Sequence, residues 1–174
     1  MKKIVAILAV AALAMSAAFS AKAIEDPNPV GTKVVGIQAG FLPGIGGSAY
    51  GEYVLVDSWW KGHFAVGVHM GARFYSYVST GYSYNEFALA PRASYGLNIT
   101  DKFEAHVAVV AGFGLSNSLY RYSDGTIDRY THPGLCYGTL LGIRYFFSDS
   151  FGLSAEAGYL GYAPYTNVGI AFKF

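Results

Sequence analysis

The sequence predicts an all-β fold, an eight-stranded antiparallel up-and-down transmembrane β-barrel, on three observations. The chain is 53% hydrophobic and 17% aromatic, with 22 glycines. Yet past residue 23 no run approaches the ~18 consecutive apolar residues of a spanning helix. The closing residues alternate: Val168, Ile170, Phe172 and Phe174 are apolar, while Asn167, Gly169, Ala171 and Lys173 are polar or small. A period of two makes one face of an extended strand greasy. Earlier segments repeat the pattern at similar length, with no helical period to cover them. A sheet in that position closes on itself and turns its greasy face to lipid, so that no backbone group is left unpaired in hydrocarbon.

The first residues set the compartment. Lys2 and Lys3 precede an apolar run over 4–14, and Ala21-Lys22-Ala23 forms an A-x-A cleavage signal. Residues 1–23 read as a cleaved signal peptide and 24–174 as the barrel domain, 151 residues long. The cleavage region has no cysteine, which argues against a lipoprotein. Removing Lys2, Lys3 and Lys22 leaves nine basic residues against eleven acidic ones, a net charge of −2. That balance argues against a nucleic-acid partner. The single Cys136 excludes an internal disulfide.

The strands follow in order. Residues 24–32 hold Pro27, Pro29 and Gly31 and read as an irregular lead-in. Strand one, 33–41, sets Val35, Ile37, Ala39 and Phe41 against Gly36, Gln38 and Gly40; 42–48 reads as a turn. Strand two, 49–58, has an open register, because Glu52 inward with Tyr53 and Leu55 outward places Val54 and Val56 in the lumen. Strand three, 63–75, sets Phe64, Val66, Val68, Met70 and Phe74 against His63, His69 and Arg73. A loop covers 76–85. Strand four, 86–97, sets Phe87, Leu89 and Tyr95 against Glu86, Arg92 and Ser94, and Pro91 suggests a bulge. Strand five, 103–115, sets Val107, Val109 and Phe113 against Glu104 and His106; 116–133 reads as the longest loop. Strand six, 134–147, sets Leu135, Tyr137 and Ile143 against Gly142 and Arg144. Strand seven, 151–160, sets Leu153 and Tyr159 against Ser154 and Glu156. A short turn over 161–164 leads to strand eight, 165–174.

An even strand count puts both termini on the periplasmic side, with short turns there and longer loops outside. Trp59, Trp60, Phe103, Tyr145, Phe147, Phe151, Phe172 and Phe174 gather near the inner turns. Tyr75, Tyr77, Phe87, Tyr159 and Tyr165 gather near the outer loops, and two such girdles match the two interfaces of a bilayer.

The segments 145–159 (YFFSDSFGLSAEAGY) and 96–114 (GLNITDKFEAHVAVVAGFG) resemble the hairpins of OmpA-type small outer-membrane barrels. Residues 52–75 are similar to segments of porin-like barrels. Phe172 and the terminal Phe174 resemble the signal read by the outer-membrane assembly machinery. The resemblance implies a cell outer-membrane location in a Gram-negative envelope, with outer-membrane lipid and lipopolysaccharide as surroundings and the assembly machinery as a partner.

Eight strands leave an interior just wide enough for side chains to fill. The inward charges are Glu52, Arg73, Glu86, Arg92, Glu104, Arg144, Glu156 and Lys173, with His69 and His106 beside them. They read as an internal salt-bridge plug, Arg144 and Glu156 pairing across their hairpin. A gated ion path along these charges is the sharper alternative. A metal held by His69, Glu104 and His106 is disfavoured, because a strand separates the two histidine-bearing strands. His132 with Ser116, Ser118 and Ser123 is the only raw material for a hydrolase, and no triad motif accompanies it. No catalytic, cofactor or metal residue is assigned. Tyr77, Tyr82, Tyr84, Tyr120, Tyr122 and Tyr130 read either as girdle or as a recognition surface for an extracellular ligand. The expectation is a non-enzymatic outer-membrane barrel with a structural or surface-interaction role and a filled lumen. The alternative is a small porin-like channel for ions or small solutes.

Overall fold

The computed structural model describes residues 27–59, 62–77, 82–122 and 124–174, the side chains of Ser58 and Tyr77 excepted. The expected signal peptide, Trp60, Lys61 and Ser123 lie outside these residues. The chain forms eight strands: β1 (Lys33–Phe41), β2 (Ile45–Trp59), β3 (Gly62–Tyr77), β4 (Tyr82–Asn98), β5 (Phe103–Arg121), β6 (Ile127–Phe146), β7 (Phe151–Leu160) and β8 (Thr166–Lys173). Each pairs antiparallel with the next, and β1 pairs with β8, so the sheet closes as a barrel.

Alternation decides the two faces. β1 repeats exposed and buried positions along its whole length: Ile37 is 57% exposed while Val34 is buried. The outward positions Val68, Met70, Leu89, Val109, Phe113, Leu135 and Leu153 are likewise exposed and apolar. The inward positions include Glu52, Arg92, Glu104, Arg144 and Glu156, all buried. A water-soluble protein has the opposite distribution. At the end bearing the termini, Tyr145, Phe147, Phe151 and Phe172 make one run of ring contacts, with centroids 5.2, 6.3 and 5.4 Å apart. Near the other end Phe74 and Phe87 meet edge to face at 5.9 Å.

Several expectations are corrected. Of Val54 and Val56 only Val54 faces the lumen, because a register irregularity between them turns Leu55 and Val56 both outward, each 45% exposed. An extra residue on one strand lets two neighbours share a face. The expected turn over 42–48 shrinks to 42–44, since Ile45 to Ser48 pair with β1 and β3. Pro91 produces no bulge: pairing of β4 with β5 lapses at Ala90 and Pro91 and resumes in the same register at Arg92. Proline removes one donor without adding a residue, so the ladder gaps but does not shift.

The largest correction concerns the loops. The expected loops over 76–85 and 116–133 are mostly strand. β5 and β6 stay paired from Phe103↔Tyr145 out to Arg121↔Ile127, and β4 runs alongside to Tyr82↔Tyr120. Pairing of β6 with β7 begins only at Gly138↔Leu160. β3 to β6 therefore rise past the barrel wall as a protruding sheet. Tyrosine and threonine favour strands on either face, but with water on both sides no greasy face marks the segment.

A cation placed on the outer face tests the assignment of the two faces. Ile37→Arg should lower the unfolding free energy in lipid vesicles by about 2–4 kcal/mol, the depth-dependent cost of arginine near the bilayer midplane. Asn117→Arg, on the protruding sheet, should change it by less than ~0.5 kcal/mol. Urea titration followed by tryptophan fluorescence measures both.

Candidate functional site

The inward residues of β2, β4, β5, β6 and β7 converge on one network at the barrel axis. Arg92 on β4 donates from Nε to Glu52 Oε1 at 2.7 Å and from Nη1 to Glu156 Oε2 at 3.2 Å. Its Nη2 donates to the other Glu156 oxygen, a forked geometry that suits carboxylates. Arg144 on β6 donates to Glu104 Oε1 at 2.9 Å, to the Tyr50 hydroxyl at 3.0 Å, and to the second oxygen of Glu52. Glu52 thus joins the two guanidiniums. The Tyr50 ring lies beneath both, 4.5 Å from Arg92 and 4.9 Å from Arg144. His106 closes the other side, with Nε2 2.9 Å from Glu156 and Nδ1 3.5 Å from Glu104. Ser154 bonds the Tyr50 hydroxyl at 3.0 Å and accepts from Gln38 at 2.8 Å, and Gln38 accepts from Ser48 at 3.0 Å.

The expected pairing of Arg144 with Glu156 is not made. The β6–β7 register sets Arg144 opposite Ser154 and Glu156 opposite Gly142. Gly142 leaves the room that His106 occupies, since a Cβ there would strike its ring. Arg144 reaches across the lumen instead, to β2 and β5. Lys173 also stands apart from the network, half-buried with Nζ 4.7 Å from the Phe146 ring. Arg73 and Glu86 form a separate buried pair toward the other end. His69 faces Arg92 Nη1 at 3.5 Å, whereas Glu104 and His106 contact each other at 3.5 Å. Among the described residues no three His, Cys, Asp or Glu side chains gather to hold a metal. Ser116 lies across the β5–β6 ladder from His132, whose ring stacks on Tyr130 with centroids 6.4 Å apart.

The lumen is layered. At the end where β1 begins and β8 ends, residues 27–32 fold under the barrel, and Asn28, buried, donates to Asn98 at 3.1 Å and Glu104 at 3.2 Å. Beyond the network comes an apolar layer that includes Ala90, Ala108, Val110, Leu140 and Leu160, all 0–1% exposed. Above it the connection over 161–165, of which 161–164 is the expected short turn, folds into the mouth. Ala163 and Pro164 are buried, and Arg73 Nη1 donates to the Ala163 carbonyl at 3.0 Å. Gly114 and Gly134 make the seat, since a Cβ on either would collide with Tyr162. Tyr162 itself adopts φ 65°, a left-handed conformation disfavoured for a bulky side chain. Residues such as Tyr50, Gln38, Asn28 and Tyr162 carried no charge pattern to mark them in the sequence. Only inward parity on β1 and β2 signalled Gln38 and Tyr50.

A closed ring of eight strands, apolar outside and with buried side chains inside, defines a transmembrane β-barrel of the small up-and-down class. Solved structures agree on the fold. Ail, the attachment invasion locus protein of Yersinia pestis, aligns over 83% of this chain and 99% of its own at 13% identity and TM-score 0.50. A de novo designed transmembrane β-barrel aligns over 87% and 100% at 17% identity and TM-score 0.50. The N-terminal β-barrel domain of Pseudomonas aeruginosa OprF is also similar, at 19% identity over 83% and 98% with TM-score 0.49. No protein-family model and no curated protein matches the chain.

The network makes Arg144 hard to remove alone. Arg144→Met leaves Glu52 and Glu104, both buried, short of a cation and should cost about 3–5 kcal/mol. Adding Glu52→Gln should recover part of the loss, a coupling that a double-mutant cycle in urea measures directly. Gly134→Val should unseat Tyr162, seen as faster amide exchange at 161–165 with the β1–β8 ladder still protected.

Proposed function

We propose that this protein is an integral outer-membrane barrel, exported by the leader at 1–23, that works without enzymatic chemistry as a structural and surface-interaction element. Its lumen carries no solute. In this reading the termini face the periplasm, the apolar belt meets outer-membrane lipid and lipopolysaccharide, and the sheet formed by β3 to β6 stands outside the cell. The filled lumen carries the reading. Asn28, the Arg–Glu network, the apolar layer and the folded-in 161–165 segment lie in series between the two mouths. A solute would have to displace all four, and the buried ion pairs resist displacement because each charge loses its partner.

Purified protein folded into planar bilayers should give no steady conductance steps. Steps that vanish in Glu156→Ala would establish the small porin-like channel instead. Lipid A from cells expressing the protein should keep its mass, and a changed mass would show an enzyme.

A further inference from the structure

The inner face of the protruding sheet carries a second cluster of chemistry. Register places Tyr75, Tyr84, Ser118 and Tyr130 side by side across β3 to β6, and Tyr82, Tyr120 and Asp128 side by side one row further out. These share the parity of Arg73 and Glu86, so they face the axis above the sealed mouth rather than the lipid. The rings touch in series. Tyr75 and Tyr84 stack at 4.8 Å, Tyr84 meets Tyr82 at 4.3 Å, and Tyr82 meets Tyr120 at 5.9 Å. The barrel does not need them as filling, because the 161–165 segment already closes the lumen beneath.

Charge selects the occupant. Asp128 lies beside Tyr120 and 3.4 Å from the Tyr130 hydroxyl. Arg73, the one guanidinium on this face among the described residues, is engaged by Glu86 and the Ala163 carbonyl. Arg121 and Arg129 fall on the alternate positions and face the opposite way. His132 sits one row below Tyr130, with its ring against the Tyr130 ring. The surface therefore offers negative π faces, hydroxyls and the Asp128 carboxylate, whose partners are the Tyr122 and Tyr130 hydroxyls rather than a cation. Such a surface attracts cations and repels anions. Four strands about 4.8 Å apart and three rows deep give a platform roughly 15 Å across, the reach of about five extended residues.

We propose that this tyrosine platform binds a basic peptide segment, its guanidinium or ammonium groups lying over Tyr82, Tyr84 and Tyr120 with one of them paired to Asp128. The proposal rests on the reading above for the outward placement of the sheet. It requires no opening of the lumen.

The test uses a fluorescent, acetylated and amidated Arg-Gly-Arg-Gly-Arg peptide. Anisotropy is read with the full protein in maltoside detergent, since choline-bearing detergents present a competing cation. The peptide should bind saturably, and its Glu-Gly-Glu-Gly-Glu counterpart should not. Tyr82→Ser and Tyr120→Ser should each weaken binding ~2–5-fold and Asp128→Asn comparably, from cation–π and exposed charge-pair magnitudes. Tyr82→Phe should retain binding, which separates a ring-face role from loss of the sheet. Arg121→Gln and Arg129→Gln should leave it unchanged or tighter. Absence of binding, equal binding to wild type and the serine variants, or capture of maltohexaose in place of the peptide would each overturn the proposal. The bilayer and lipid A results would stand in every such case, so failure here is distinct from failure of the sealed-barrel reading.

Discussion

Eight strands enclose too little space for water-filled freedom and too much to leave empty, and the chain answers with charge. Glu52, Glu104 and Glu156 are each no more than 5% exposed, and Arg92 and Arg144 no more than 2%. Every one of these ions loses several kcal/mol of hydration on entry, repaid only by close partners and saturated hydrogen bonds. Both guanidiniums have at least two oxygen partners here, and Tyr50 supplies a π face to each. An apolar filling of equal volume would be no less stable by that reckoning. The network needs a reason other than stability.

Register supplies one. The outer face of this barrel is as greasy as a core, so hydrophobicity alone does not say which face of a strand belongs inside. A slip of one residue exchanges the two faces. For β4 or β6 such a slip would carry Arg92 or Arg144 into hydrocarbon and bring Ala93 or Ile143 into the lumen. Arginine in lipid is penalised by about 2–4 kcal/mol, and its stranded carboxylates add to that. The ionic residues thus select one register among near-equivalent ones. Glycine takes part: Gly36 and Gly142 stand where a Cβ would strike Tyr50 and His106. The network closes only when the strands align so that a bare backbone faces a large ring.

How much of this the sequence disclosed follows from which signals have a period. The barrel, its strand order and the inward charges were legible, because alternation over nine or more residues is unambiguous where one face meets lipid. The ion-pair partners were not. Arg144 looked like the partner of Glu156 by nearness along the chain, but two inward residues on adjacent strands meet only if the register makes them opposite. Ser154 holds that place. Glu52 and Glu104 come from strands that no local count connects to Arg144. The bulge in β2 was equally hidden, since Tyr53, Val54, Leu55 and Val56 are all apolar or aromatic and fit either face. The tall sheet escaped for a converse reason. Beyond the lipid edge both faces are wet, so Ser116, Ser118, Tyr120 and Tyr130 read as loop although they pair as strand.

That last failure bears on where interaction chemistry can reside. Within the belt every outward position must be apolar and every inward one must fill or pair, which leaves little freedom to vary. Past the mouth the same alternation persists while both demands lapse. The inward face there no longer has a lumen to fill, and the side chains it presents are Tyr75, Tyr82, Tyr84, Tyr120 and Tyr130 with Asp128, rather than glycine, alanine or paired ions. Five tyrosines exceed what an interface girdle requires, and they face away from the lipid a girdle would serve. A rigid ladder that holds them in rows also lowers the ordering cost a flexible loop would incur on binding. On the proposed reading the barrel is the mount, and the sheet that outgrows it is the part free to acquire a partner.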